Sequence, residues 1–217
     1  LEPGEKVVVS GQFLLDSESK IRESLLKMIK GDEAAKQLPV REFGDLEKIE
    51  LTDVSRQVLD DVLETYMELN RSFYNDSFAE VQNQSSTFHS KVEDLVAAVD
   101  SDEEYLKILV EQSDKINSSP DLNQARIAFG YVGKHLDDLL KASGSTSFKG
   151  GKITGVRCGM FYDAPEGGIW LQLDTKVRNP FFGKAHGMAA CATDKWEYAA
   201  LESAQGTAIK PSQQQAN

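Results

Sequence analysis

Apolar residues recur every three or four positions between residues 52 and 143, and this spacing predicts amphipathic helices. The first helix is capped by Thr52 or Asp53. Its apolar stripe consists of Val54, Val58, Leu59, Val62, Leu63, Tyr66, Met67, Leu69 and Phe73. The pattern then predicts three more helices: Phe78 to Val99, one capped by Ser101-Asp102, and one that follows the break and cap at Ser118-Ser119-Pro120-Asp121. Since the loops are short, successive helices should pack antiparallel, as an up-down four-helix bundle.

The helical spacing ends at Gly144, and glycine is frequent beyond it. Short strands are expected there, one of them at Ile169–Leu173. We predict a small irregular α+β lobe at 144–203. This lobe should pack on the bundle at 52–143, because it is too small to hold a core alone. The Gln- and Ala-rich residues 204–217 are expected to be disordered.

The chain before the bundle has a different pattern. A β-branched run predicts a strand from Lys6 to Leu15, followed by a helix from the Asp16 cap to Lys30. We therefore predict a short strand-helix segment at 1–30 and a linker without a clear period at 31–51. The fold class is mainly α. The edge of the strand could pair with a second copy, which makes a homo-oligomer one expected state.

The net charge of the chain and its distribution along the sequence limit the functions that we expect. The net charge is −11, which argues against nucleic-acid binding. Residues 52–143 carry 8 basic and 18 acidic side chains, and residues 144–217 carry 8 and 6, so the composition changes at the predicted boundary. The acidic positions, Asp137-Asp138 among them, are interpreted as solvated helix faces. No apolar run reaches the roughly 18 residues that span a bilayer, and a start at Leu1 rather than Met suggests a fragment.

Sulfur is concentrated near the end of the chain. Both cysteines, two of the four methionines and one of the three histidines lie within 34 residues. Thiolate and thioether are soft ligands that suit Cu(I) or Ag(I), and imidazole is borderline. The predicted metal ligands are Cys158, Met160, Met188 and Cys191, with His186 optional.

Spacing indicates how these ligands could meet. Cys158 and Met160 point the same way if their segment is extended, and one helical turn puts Met188 and Cys191 on one face. Two alternatives stay open. Cys158 and Cys191 could instead form a disulfide that staples the lobe. A zinc site would require His186, because thioether is a poor zinc ligand. No nucleophile elbow, P-loop or HExxH motif is present, so we expect no enzyme.

Two stretches resemble a known family. The first runs Gly4-Glu5-Lys6-Val7-Val8-Val9-Ser10-Gly11-Gln12-Phe13-Leu14-Leu15-Asp16-Ser17-Glu18-Ser19. It is similar to the end of the membrane-proximal region of periplasmic adaptor subunits, the membrane fusion proteins of heavy-metal efflux pumps of the resistance-nodulation-division type. The second, from about residue 60 to 198, resembles a helical domain of unknown function in copper/silver adaptors. It contains Arg126 and Phe129, Cys158-Gly159-Met160, Trp170-Leu171-Gln172, Asn179-Pro180-Phe181-Phe182-Gly183 and Met188-Ala189-Ala190-Cys191-Ala192.

The chain has Gly159 where the family pattern has Pro, Phe181 where it has Tyr, and Ala192 where it has Gly. The interval from Gly183 to Met188 is also longer than in the family pattern. The resemblance implies a periplasmic module whose parent protein is attached to the inner membrane. Its implied partners are an inner-membrane pump and an outer-membrane channel, and its implied role is Cu(I) or Ag(I) binding in metal efflux. A structural or interaction domain of the same adaptor, without metal, is the alternative.

Overall fold

Four helices and a small sheet make up the structure, a computed structural model that describes residues 40–41, 46–145, 147–148 and 151–198. The helices are α1 (Asp53–Tyr74), α2 (Phe78–Val99), α3 (Glu104–Ser118) and α4 (Leu122–Ser143). The predicted class, mainly α with a small C-terminal α+β lobe, is confirmed. The strand and helix predicted within residues 1–30 and the tail at 204–217 lie outside the described residues.

Local chemistry sets the helix ends. The Thr52 side chain accepts the Ser55 amide at 3.1 Å, and Asp121 accepts the amides of Asn123 and Gln124 at 2.9 Å. These are N-caps that satisfy orphan donors of the first turn. The cap of α3 differs from the prediction, since Glu103 holds that position and its side chain makes no cap hydrogen bond, while Ser101 Oγ accepts the Glu103 amide at 3.4 Å. Helix α4 ends at Gly144, whose φ of 61° is left-handed and favours glycine.

The bundle core is continuous from α1 to α4. Tyr66 stacks on Phe129 with ring centroids 4.8 Å apart, and Phe73 lies 4.5 Å from the same ring. From Leu59 onward the predicted stripe is buried except for Met67, which is partly buried, whereas Val54 is 68% exposed. Val54 lies in the first turn of α1. Ile49 and Leu51, within the segment predicted as a linker, are buried in the core.

Six short strands lie in the part of the chain that the structure describes, five of them in the lobe and one before the bundle. They are β1 (Val40–Arg41), β2 (Ser147–Phe148), β3 (Gly151–Lys152), β4 (Thr154–Arg157), β5 (Ile169–Gln172) and β6 (Asp194–Tyr198). The larger sheet has the order β1-β6-β4-β5, with β4 antiparallel to both neighbours and β1 parallel to β6; β2 and β3 form a separate hairpin. A short 3-10 helix at Pro165–Gly167 precedes β5.

Strand β5 joins the lobe to the bundle. The Tyr66 hydroxyl accepts the Leu171 amide at 3.2 Å, and Asn70 Nδ2 donates to the Leu171 carbonyl at 2.9 Å. Two side chains of α1 therefore satisfy backbone groups that an edge strand would otherwise leave unpaired. Within the described residues, no helix is both long and apolar enough to cross a membrane.

Candidate soft-metal site

The two cysteines form a disulfide. Cys158 directly follows β4, Cys191 lies shortly before β6, and their Cα atoms are 5.8 Å apart across a separation of 33 residues. That Cα separation is within the usual range for a disulfide. Cys158 is completely buried, whereas Cys191 is partly exposed. The bridge joins two neighbouring antiparallel strands at the same end. The structure thus contains the disulfide, which is one of the alternatives that the cysteine spacing left open.

The backbone around Cys158 is held on both sides. Its amide donates to the Gly168 carbonyl at 3.0 Å, and the Gly159 amide donates to Thr193 Oγ1 at 3.2 Å. Cys191 is held by Asn179, whose side-chain Nδ2 donates to the Cys191 carbonyl at 3.0 Å. Asn179 is completely buried. The Asn-Pro-Phe-Phe-Gly motif thus anchors the segment that carries the second cysteine.

Met160 does not share the direction of Cys158. The Phe161 amide bonds the Cys158 carbonyl at 3.2 Å, which makes this segment a turn rather than an extended chain. Cys158 consequently faces the core, while Met160 is 48% exposed. The Tyr162 hydroxyl, also at the surface, donates to Met160 Sδ at 3.5 Å. The expectation of two parallel side chains was therefore wrong, although the Met160 thioether is accessible to solvent.

The segment around Met188 is a series of turns. The Cys191 amide donates to the Met188 carbonyl at 2.9 Å, consistent with the predicted single turn. His186 Nδ1 accepts the Met188 amide at 3.1 Å, and the ring stacks on Phe182 with centroids 5.0 Å apart. Because Nδ1 is the acceptor, the neutral ring carries its proton on Nε2. Metal binding at Nε2 would require that proton to leave or to move to Nδ1, where it would break the bond to Met188.

The oxidised pair offers no thiolate. Two electrons and two protons would convert the disulfide into two thiols, and thiols must lose their protons to bind a metal. A metal–sulfur bond of about 2.3 Å places two thiolates on one ion no more than roughly 4.6 Å apart. Cysteines close enough to form a disulfide meet that condition. Among the described residues, no group of three or more His, Cys, Asp or Glu side chains could hold a metal ion.

A buried polar cluster lies between α4 and β6. Asp137, completely buried, accepts from Trp196 Nε1 at 2.8 Å and from the Tyr198 hydroxyl at 2.7 Å, and it pairs with Lys141. Burial raises the pKa of Tyr198 well above its ordinary value, and the Asp137 charge raises it further. Asp138 is 6% exposed. The prediction that this pair is solvated was wrong, because the sheet packs over that face of α4.

One serine and histidine pair resembles a nucleophile and its base. His89 Nδ1 lies 2.8 Å from Ser113 Oγ, and His89 Nε2 lies 3.7 Å from Glu93. Ser113 is completely buried, however, and donates to the Val110 carbonyl at 2.7 Å. A buried serine whose proton already has an acceptor cannot attack a substrate, so this group links α2 to α3.

Comparison with known proteins adds no relative: no family model matches the chain, and neither does any curated protein or solved structure. The likeness to heavy-metal efflux adaptors therefore rests on the motifs alone and stays a prediction. Of the five predicted ligands, the structure joins Cys158 and Cys191 directly, and each methionine lies within three residues of one of them in the chain.

Proposed function

We propose that this chain is a non-catalytic module of a periplasmic efflux adaptor, and that its lobe captures Cu(I) or Ag(I) when the disulfide is reduced. One observation carries the proposal: Cys158 and Cys191 lie within bonding distance, each with a methionine two or three residues away. In the reduced lobe, two thiolates would supply the main bonds. Thioethers from Met160 and Met188 would complete a soft ligand set that hard cations do not favour.

Exposure supports a role for Met160 in particular. A methionine that only filled the core would be covered, yet 48% of Met160 is open to solvent beside the buried Cys158. An incoming ion could bind the exposed thioether before it exchanges onto the thiolates. His186 is not required in this scheme, since its Nδ1 already accepts the Met188 amide.

The disulfide itself favours a second candidate, a stapled structural or interaction domain of the same adaptor that binds no metal. Disulfides persist in oxidising compartments such as the periplasm. In this candidate the lobe would contact the inner-membrane pump, an outer-membrane channel or another adaptor. A zinc module is the third candidate. It would need the thiolates and His186, whereas the methionines would be dispensable.

The test begins with thiol counting on the unfolded, non-reduced protein. The reduced protein is then titrated with Cu(I) against a chromogenic chelator. We expect one-to-one binding that disappears in Cys158→Ser. Affinity should fall in the Met160→Leu/Met188→Leu double variant but not in the control Met67→Leu, whose methionine lies in α1.

Other outcomes separate the candidates. Absence of Cu(I) uptake by the fully reduced protein would refute the proposal and leave the stapled domain. Unchanged Cu(I) affinity in the double methionine variant, together with Zn(II) binding that is lost in His186→Ala, would indicate the zinc module.

A further inference from the structure

A cavity of about 250 Å³ lies between α1 and the chain that leaves β5, and the sulfur cluster does not contribute to it. From α1 it is lined by Met67, Asn70, Arg71 and Tyr74. Their spacing of three, one and three residues puts all four on one helix face. The opposite wall is the segment from Gln172 to Arg178.

The Trp-Leu-Gln motif shapes that wall. Trp170 Nε1 donates to Gln172 Oε1 at 3.1 Å, which orients the amide so that Nε2 faces the turn. Gln172 Nε2 donates to the carbonyls of Asp174 and Lys176, the latter at 3.3 Å. A buried indole thus fixes an amide, and the amide fixes the turn that carries Lys176. The wall is held in place by hydrogen bonds that need no ligand.

The charges in the cavity are unbalanced. It is lined by three cations, Arg71, Lys176 and Arg178, and by one carboxylate, Asp174. Asp174 pairs with Arg178. In the part of the chain that the structure describes, no carboxylate pairs with Arg71 or Lys176. Within the described residues, the lining of this cavity therefore carries a net positive charge, although the whole chain has a net charge of −11.

We infer that this cavity binds a small organic anion with a phosphate or carboxylate head and a flat apolar body. Arg71 can bond two oxygens of such a head through its planar fork, and Lys176 adds a point charge. Met67, the Tyr74 ring and Leu173, which is 42% exposed, provide an apolar surface for the body. Apolar walls with a few convergent polar groups are typical of ligand sites.

Phenyl phosphate is the probe, and binding is measured by calorimetry on the full chain at low salt. Phenol, inorganic phosphate and benzoate are the comparison ligands. We expect phenyl phosphate to bind more tightly than phenol or inorganic phosphate, because each of those lacks half of the proposed contacts. Benzoate shows whether a carboxylate replaces the phosphate head.

Variants locate the site. Arg71→Gln and Lys176→Gln should each weaken phenyl phosphate binding about tenfold, the effect of losing one hydrogen bond to a charged group. Arg56→Gln, on an exposed position of α1 away from the cavity, and Lys107→Gln on α3 are the matched controls. All four side chains are at the surface, and thermal unfolding confirms that each variant is folded.

Three results would overturn the inference. The first is no measurable binding of phenyl phosphate or benzoate. The second is an equal loss in the control variants, which would indicate non-specific charge attraction. The third is equal affinity for phenol, which would mean that the cations do not take part.

Discussion

Arg126 and Asp76 are joined by a 2.6 Å hydrogen bond from the guanidinium Nη2 to Asp76 Oδ1. The same guanidinium donates to the Phe73 carbonyl at 3.0 Å and to the Pro180 carbonyl at 2.9 Å. One side chain of α4 therefore ties the end of α1 to the Asn-Pro-Phe-Phe-Gly motif. Gly183 of that motif packs so closely on the Asp76 carboxylate that a Cβ would overlap it, and its φ of 71° also favours glycine.

Replacement of Arg126 by Met should destabilise the protein by about 2–4 kcal/mol, because two carbonyls and a carboxylate each lose a hydrogen bond from the guanidinium. Arg126 is only 7% exposed, which leaves little room for water to replace it. Urea unfolding measures the change. Arg56→Met is the control, since Arg56 is an exposed residue of α1. Equal stability of the two variants would show that the three bonds contribute little.

Gly133 marks a close approach of α4 to β5. A Cβ at this position would overlap the carbonyl oxygen of Ile169. Gly133→Ala should therefore destabilise the protein by about 1–3 kcal/mol, the usual cost of overpacking, even though alanine favours a helix. Gly187→Ala is the matched control, because nothing lies within 4 Å of its Cβ position. Thermal melts of the two variants should differ by several degrees; identical melts would contradict the packing of β5 on α4.

The disulfide should contribute roughly 3–4 kcal/mol, because it restricts a loop of 33 residues in the unfolded chain. We expect the Cys158→Ala/Cys191→Ala variant to unfold at lower urea than the oxidised protein. A strong reductant should lower the stability of the natural sequence toward that of the variant, while the variant itself stays unchanged. Free thiols in the unfolded, non-reduced protein would contradict this prediction directly.

Asp138 should make stability depend on pH on the acid side. Burial alone would raise the pKa of Asp138, but the contacts with His135 and Lys134 and the Lys141 charge prevail and lower it. The carboxylate's contribution is complete above the unfolded pKa of about 3.9 and is lost as pH falls through the lower folded pKa.

The Asp138→Asn variant lacks this contribution, so its unfolding free energy should change less between neutral pH and pH 2. Asp114→Asn, at an exposed position of α3, is the control and should follow the natural sequence. Urea titrations across the acid range give the comparison. Parallel curves for Asp138→Asn and the natural sequence would show that the ion pairs with Lys134 and Lys141 do not stabilise the fold.

Metal chemistry was the part of the site that the sequence could not decide. The residue types and spacing of Cys158 and Cys191 fitted a ligand pair and a disulfide equally well, because both require two sulfurs at close range. Met160 illustrates a second limit. The direction of its side chain depends on a turn that the Phe161 amide closes. No hydrophobic periodicity in the sequence predicts that turn. The cavity between α1 and the chain that leaves β5 was not predicted, since its two walls are about 100 residues apart in the chain.

The sequence by itself determined the helices, because the apolar stripes and the caps at Thr52 and Asp121 depend only on residues that are close together in the chain. The tertiary structure alone decided which polar groups are buried. The residue pattern of its own helix predicts that Asp137 lies at the surface. It becomes a buried acceptor only when Trp196 and Tyr198 pack over it. Burial depends on contacts between distant segments, and local spacing contains no information about which segments will meet.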